Sequence, residues 1–267
     1  MIVSVRGLSF GYTDKAVFEN LTAGFGDGGT GRPLVILGPS GCGKTTLLKL
    51  LGGLLKPLAG DVSYSGAADG NCEIPKTAFM FQEPRLLPWL TVLENVDLPL
   101  LKIFDREEAV ERARRFLSLV SLEGMDAEYP TELSGGQAQR VSMARAFAWP
   151  AAALFMDEPF QSLDIPLRIN LMETCLSLLE RDDLPEGDRR EDNSPKNYPE
   201  EKRLLIAVTH DPREALYMGG RIVILGKAGE GIVFDRVVNV LPGERAYGSA
   251  ASVDLEKEII RVLEAHG

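Results

Sequence analysis

Short apolar runs alternate with stretches of helical period along this 267-residue chain. It opens with β-rich segments, Ile2–Val5 and then Leu8–Tyr12. A compact apolar strand at Leu34–Leu37 runs into a glycine-rich turn and then a helix starting near Lys44. Strand-like stretches follow at Asp61–Ser65 and Thr77–Phe81. From about Glu83 to Gln139 charged, helix-favouring residues dominate, and Arg106–Leu119 sets its apolar residues at helical spacing. Ala153–Asp157 and Leu204–Val208 read as buried parallel strands, with a helix over Pro166–Glu180 between them. This alternation predicts an α/β core around a mostly parallel sheet, with the middle segment as a helical insertion. Arg181–Arg203 breaks the pattern. It is rich in Asp, Glu, Arg, Pro and Asn, has almost no large apolar residue, and reads as a solvated surface loop.

The length allows one substantial core, so residues 1–267 are read as a single domain, with the insertion over about 83–139. A hydrophobic content of 45% with 25% charged residues is that of an ordinary globular protein. The net charge of −10 and pI near 4.9 argue against a nucleic-acid partner, which calls for a basic footprint. Cys42, Cys72 and Cys175 are odd in number and form no C-x-x-C, so neither a disulfide framework nor a zinc site is expected, as fits a reducing cytoplasm. The N-terminal residues lack a signal-peptide pattern, and apolar runs such as Leu47–Leu55 are too short to span a bilayer. Any membrane role therefore needs a partner that supplies the spanning segments.

The chemistry is concentrated in a few places. Gly38, Pro39, Ser40, Gly41, Cys42, Gly43, Lys44 and Thr45 match G-x-x-x-x-G-K-[ST], placed between a strand and a helix as that motif requires. Its glycines let backbone N–H groups wrap phosphates, and the helix that follows, with Thr46 in its first turn, points its positive end at the same anion. Lys44 is expected on the β- and γ-phosphates of ATP and Thr45 on Mg²⁺. The strand Ala153–Asp157 delivers Asp157 beside that metal and Glu158 near the γ-phosphate, where it suits a general base acting on water. Leu133, Ser134, Gly135, Gly136 and Gln137, before a helix-forming stretch at Ala138–Ala148, make a second anion-binding helix terminus. One chain has one γ-phosphate to bind, so a second such device points to a site completed by another subunit.

Leu133–Gln137 followed by Ala-Gln-Arg-Val-Ser-Met-Ala-Arg-Ala resembles the signature of the ABC ATPases. That resemblance covers roughly Ile2 to Phe234 and implies roles for further residues. Tyr12 matches the aromatic that stacks on adenine, a contact worth roughly 1–3 kcal/mol in other nucleotide sites. Gln82 matches the glutamine that reaches Mg²⁺ and senses the γ-phosphate. Ser162, Leu163 and Asp164 match the loop linking two sites, and His210 the switch histidine on the γ-phosphate, followed by a helix cap at Asp211 and Pro212. The resemblance implies an antiparallel-β subdomain, a RecA-like P-loop NTPase core and an inserted helical subdomain, with ATP and Mg²⁺ clamped head-to-tail in a cassette dimer. Cys42 is read as a small residue that fits its loop, without a catalytic role.

Leu86, Leu87, Pro88 and Trp89, before Thr-Val-Leu-Glu-Asn95-Val96, are similar to the importer ATPases for nitrate, sulfonates and taurine. Such subunits sit on the cytoplasmic face of the membrane, bound to a permease and served by a solute-binding protein. The rival classes are an exporter ATPase or a non-transport ABC ATPase in DNA repair or translation. The second usually carries a long coiled coil or two cassettes, and neither is present. Trp89 has two readings: core of the helical insertion, or an anchor for the permease. Arg181–Arg203 and the turn Gly26–Gly31 read as surface insertions that touch no motif.

Overall fold

The computed structural model describes residues 1–12, 15–65, 77–161, 163–180, 203–238 and 252–267. Two sheets carry the fold. The first is a three-stranded antiparallel sheet of β1 (Ile2–Tyr12), β2 (Lys15–Phe25) and β4 (Ala59–Ser65), in the order β2-β1-β4. The second has six strands: β3 (Leu34–Leu37), β5 (Thr77–Met80), β6 (Ala153–Asp157), β7 (Leu204–Val208), β8 (Arg221–Leu225) and β9 (Ile232–Val237). Their order is β5-β6-β7-β3-β8-β9, parallel except for the β8–β9 pair. This is the expected P-loop NTPase arrangement, with an antiparallel sheet beside a parallel-rich one.

The central strands β3, β6 and β7 are buried at every position and apolar throughout except at Asp157, because both of their faces are covered. Leu34 and Ile36 of β3, with Phe155 of β6 and Ile206 of β7, pack towards Leu47, Leu48 and Leu51 of α1 (Lys44–Leu51) and towards Val3, Leu8 and Phe25 of the antiparallel sheet. The alternate residues Val35, Leu37, Leu154, Met156 and Leu205 join the other core, with Val141, Ala144 and Phe147 of α4 (Gly135–Ala148) and Leu171 and Cys175 of α5 (Ile165–Glu180). The period-2 alternation of strand side chains thus divides one sheet between two cores.

Between β5 and β6 lie α2 (Val92–Asp97), a 3-10 turn at Leu100–Lys102, α3 (Arg106–Leu119), a second 3-10 turn at Pro130–Glu132, and α4. Helix α2 begins on a closed capping box: Thr91 Oγ1 accepts from Glu94 N, and Glu94 Oε2 accepts from Thr91 N. After β7 come α6 (Pro212–Met218), capped by Asp211, and, beyond β9, α7 (Val253–His266). Among the described residues no helix is long and apolar enough to cross a membrane.

Most predicted elements stand within a residue or two. The two opening segments are one strand, β1, whose pairing is irregular between Val5 and Leu8, where Gly7 takes φ of +58°. The helix expected over Ala138–Ala148 starts earlier, at Gly135, because Ser134 caps it. Trp89 is 69% exposed, so it is not core of the helical region. Of the loop expected over 181–203, residues 181–202 lie outside the described residues. Arg203 departs from the expectation: it is partly buried, donates from Nη1 to the carbonyl of Phe147 at 2.9 Å, and burial pulls its pKa down to about 10. Cys72 also lies outside the described residues.

Gly52 closes α1 against the stacked rings of Phe79 and Phe155, whose centroids are 5.0 Å apart. A Cβ there would lie 1.9 Å from Phe79 Cζ and 3.1 Å from Phe155 Cδ2. Gly52→Ala is therefore expected to lower unfolding stability by about 1–3 kcal/mol through overpacking. Denaturant titration measures it, and an unchanged midpoint would mean that the rings move aside at little cost.

Candidate active site

Three strand ends meet at one edge. Strands β6, β7 and β3 are neighbours, and the pairing sets Asp157 beside Val208 and Val208 beside Ile36. Because the strands are parallel, the segments leaving them emerge on the same side, the side where open α/β sheets hold ligands. Those segments carry Gly38–Thr45 after β3, Glu158 after β6, and Thr209 and His210 after β7.

The loop after β3 folds around its own lysine. Lys44 is buried, and its Nζ donates to the carbonyls of Gly38 at 2.8 Å and Pro39 at 2.9 Å. Gly43 takes φ of +103°, and a Cβ there would lie 2.4 Å from Val17 Cγ1, so only glycine fits. Ser40 and Gly41 form the exposed tip, and Cys42 is buried beneath it, its thiol pKa raised by burial. The N-cap residue Gly43 brings no side chain to the start of α1, whose positive end suits an anion. Thr46 lies on α1 with its Oγ1 3.3 Å from Tyr12 Oη. Tyr12 itself is half exposed and stands edge-on to Phe10.

Thr45 Oγ1 donates to Asp157 Oδ1 at 2.8 Å. Burial raises the Asp157 pKa most, the neighbouring Glu158 adds to it, and the Thr45 bond, Lys49 and Lys44 oppose the rise. A hydroxyl and a buried carboxylate in contact suit a hard dication that takes its remaining ligands from phosphate and water. Among the described residues no group of three or more His, Cys, Asp or Glu side chains offers an all-protein metal cage.

Glu158 takes φ of +46°, a left-handed conformation that costs a residue with a side chain on the order of 1–3 kcal/mol. Its N–H donates to the carbonyl of Val208 at 3.0 Å, and its Oε2 lies 3.2 Å from Nδ1 of His210. The turn thus aims the carboxylate across the strand ends instead of along β6.

Other predicted residues sit apart. Gln82, just past β5, is exposed and donates from Nε2 to Gln161 Oε1. Ser134 and Gln137 satisfy each other in a capping box at the start of α4, and Gln137 Nε2 also reaches Met125 Sδ at 3.6 Å, so neither bonds to the Lys44 cluster. Gly135 is exposed, and a Cβ on Gly136 would meet Leu167 Cδ2 at 2.5 Å. Asp164 caps α5, its Oδ1 accepting from Leu167 N at 2.9 Å, whereas Ser162 lies outside the described residues.

Sequence reasoning passed over the residues that hold these segments together. Gln139 is buried and donates from Nε2 to the carbonyls of Gln82 at 3.3 Å and Pro159 at 2.7 Å. Arg145, its pKa lowered by burial, donates to the carbonyls of Pro84 at 2.7 Å and Arg85 at 3.0 Å. Asn95 accepts from Leu87 N and donates to the carbonyls of Leu87, Leu90 and Thr91. All three bond to backbone, which leaves no pairing signature in one sequence.

The family model for ABC transporters matches residues 28–161, half of the chain. The chain belongs to the ABC transporter family. It is an ATP-binding, ATP-hydrolysing member, with the fold of dimeric cassettes. Among similar proteins, the aliphatic sulfonates import ATP-binding protein of Bacillus cereus strain ATCC 10987 is 34% identical, over 100% of this chain and 98% of that one. The taurine import ATP-binding protein of Chromobacterium violaceum is 38% identical, over 88% of this chain and 83% of that one. A solved dimeric ATP-binding cassette in a post-hydrolysis state, bound to ADP and Pi, superposes with a TM-score of 0.69 at 29% identity, covering 90% of this chain and all of that one.

In this ABC chain Asp157 weakens the fold that holds it. An acid with a raised folded pKa loses stability as pH climbs from its unfolded value to its folded one, and the penalty is complete above that window. Asp157→Asn removes the penalty, and its side-chain carbonyl can still accept from Thr45. The nucleotide-free variant is expected to melt above the parent at pH 7, with the gap closing as pH falls towards about 4. Thermal denaturation at both pH values measures this; a variant that melts lower at pH 7 would mean that the carboxylate's charge supports the fold.

Proposed function

We propose that this chain is the ATP-hydrolysing subunit of an ABC importer for sulfonates, taurine or related small organic anions. It works as a head-to-tail dimer of cassettes, held to the cytoplasmic face of the membrane by permease subunits and served indirectly by a solute-binding protein. The observation that carries the hydrolytic part is the contact between Glu158 and His210, next to the Thr45–Asp157 pair and the loop around Lys44. The names of the sulfonate and taurine relatives support the choice of importer.

On this reading the chain's residues divide the work. The loop Gly38–Thr46 holds the triphosphate, with Lys44 turning from its own carbonyls to the β- and γ-phosphates, and Tyr12 offers its exposed ring to adenine. Thr45, Asp157 and Gln82 would hold Mg²⁺, which when bound neutralises charge on the phosphate oxygens. Glu158 accepts a proton from the water that attacks the γ-phosphorus, and the bond from γ-phosphorus to the bridging oxygen breaks to leave ADP and phosphate. His210 orients Glu158 and faces the γ-phosphate. Ser134, Gly135, Gly136 and Gln137 act on the nucleotide of the partner cassette, and Asp164 links the two sites. That division fits their separation from the Lys44 cluster within one chain.

Glu158→Gln keeps shape and hydrogen bonding but removes basicity. Turnover is expected to fall by about 10²–10⁴-fold while ATP still binds and holds a dimer through size exclusion. A variant that hydrolyses ATP at the parent rate removes Glu158 as the base. Trp89 tests the importer reading. It projects from a loop fixed by Arg145 and Asn95, and an exposed aromatic on a rigid loop is the make-up of an interface anchor, where truncation costs about 2 kcal/mol or more. Trp89→Ala is expected to keep its melting temperature and basal ATPase rate but to lose co-purification with the permease. Unimpaired uptake by this variant would take Trp89 out of the interface.

A further inference from the structure

Arg168, on the first turn of α5, is used by none of the motifs above. Its guanidinium is mostly buried and divides its donors between two loops. Nη1 lies 3.2 Å from Asp211 Oδ2 and 3.4 Å from Glu214 Oε1, both just past His210. Nη2 donates to the carbonyl of Leu163 at 3.1 Å, next to Asp164. Nε is buried without a hydrogen-bond partner. The backbone closes the same link from the other end, since the N–H of Arg168 donates to the Asp164 carbonyl at 2.9 Å.

The far side of the link is also tied down. Glu214 is buried, and burial is the main cause of its raised pKa, which Arg168 opposes. Its Oε2 accepts from Thr209 Oγ1, which accepts in turn from Asp211 N at 3.2 Å. Thr209 N donates to the carbonyl of Ile36 at 3.2 Å, which ties this turn to β3. His210 therefore sits between Asp211, which pairs with the guanidinium, and Thr209, which bonds to the Glu214 carboxylate that the same guanidinium faces. Compensating the charge of Glu214 would not require a bond to the Leu163 carbonyl. A planar fork holds its donors in fixed directions towards two carboxylates and a carbonyl, which a rotatable ammonium on a flexible stem does not.

We propose that Arg168 is a positioning residue that locks the Leu163–Asp164 loop to the turn carrying His210, so that the two approach the reacting phosphate in fixed register. This rests on the reading of Glu158 and His210 as the hydrolytic pair. The prediction separates register from mere charge compensation. Arg168→Met is expected to lower kcat for ATP by at least about tenfold, with KM within about twofold, because nucleotide contacts are untouched and only alignment is lost. It also leaves Glu214 without its cation, so the melting temperature should fall. Arg168→Met with Glu214→Gln removes the stranded charge. The melting temperature should then return towards the parent's, while kcat stays low.

Steady-state kinetics well below every melting temperature, on the full chain with Mg-ATP, decide the matter. Recovery of kcat together with stability in the double variant would reduce Arg168 to a counter-ion and overturn the proposal. So would a parent-like kcat in Arg168→Met, or a loss that falls on KM alone. If stability does not recover, the division of the loss between kcat and KM still decides. Glu158→Gln, run alongside, distinguishes the layers. An active Glu158→Gln removes the underlying reading, whereas a dead Glu158→Gln beside a fully active Arg168→Met removes only this inference.

Discussion

The parallel pairing of β6, β7 and β3 is the constraint on which everything else rests. With Asp157, Val208 and Ile36 in register, three chain segments far apart in sequence leave the sheet at one height. No side-chain interaction achieves this; the backbone ladder does, and the two cores on its faces hold the ladder together. A slip of one residue in any of these strands would exchange its side chains between the cores and move its loop by about 3.3 Å. The geometry of the site is thus specified by the burial of residues that never touch nucleotide, such as Phe155 and Ile206.

The same edge concentrates unfavourable electrostatics. Asp157 and Glu214 are carboxylates held where burial raises their pKa, and Glu158 stands in a left-handed turn next to one of them. Each is tolerated because neighbours oppose the cost: Thr45 at Asp157, Thr209 and Arg168 at Glu214, and the Val208 carbonyl at the Glu158 backbone. The acidity of the whole chain, −10 at neutral pH, reveals nothing of this arrangement. Local placement, not net charge, sets the chemistry here.

Much of this was legible in the sequence. Leu34–Leu37, Ala153–Asp157 and Leu204–Val208 emerge as strands with their expected bounds, since unbroken apolar runs of that length suit little else in an α/β chain. The loop from Gly38 to Thr45 was readable because phosphate-binding geometry demands glycine at fixed spacing. Less legible were β2 and β9, whose apolar content is diluted by exposed charged residues such as Glu19, Asp235 and Arg236, and β8 went unread although Ile222–Leu225 is an unbroken buried run. The braces were not legible at all. Gln139, Arg145 and Asn95 act on the backbone, and any residue offers a carbonyl; Arg168 pairs with Asp211 and Glu214, which are far from it in sequence.

Two of those braces turn α4 into a lever. Gln139 fixes the helix to the carbonyl of Gln82, and Arg145 fixes it to the carbonyls of Pro84 and Arg85. Six residues separate the anchors, about 9 Å along the axis, so the helix and the strip of chain around Gln82 form one rigid arm. The far end of that arm is Ser134, five residues and about 7.5 Å beyond Gln139. A tilt of about 10° about Gln139 displaces the Ser134 cap by about 1.3 Å, nearly half a hydrogen-bond length. A displacement of the chain where β5 ends would therefore be carried along the helix towards Ser134.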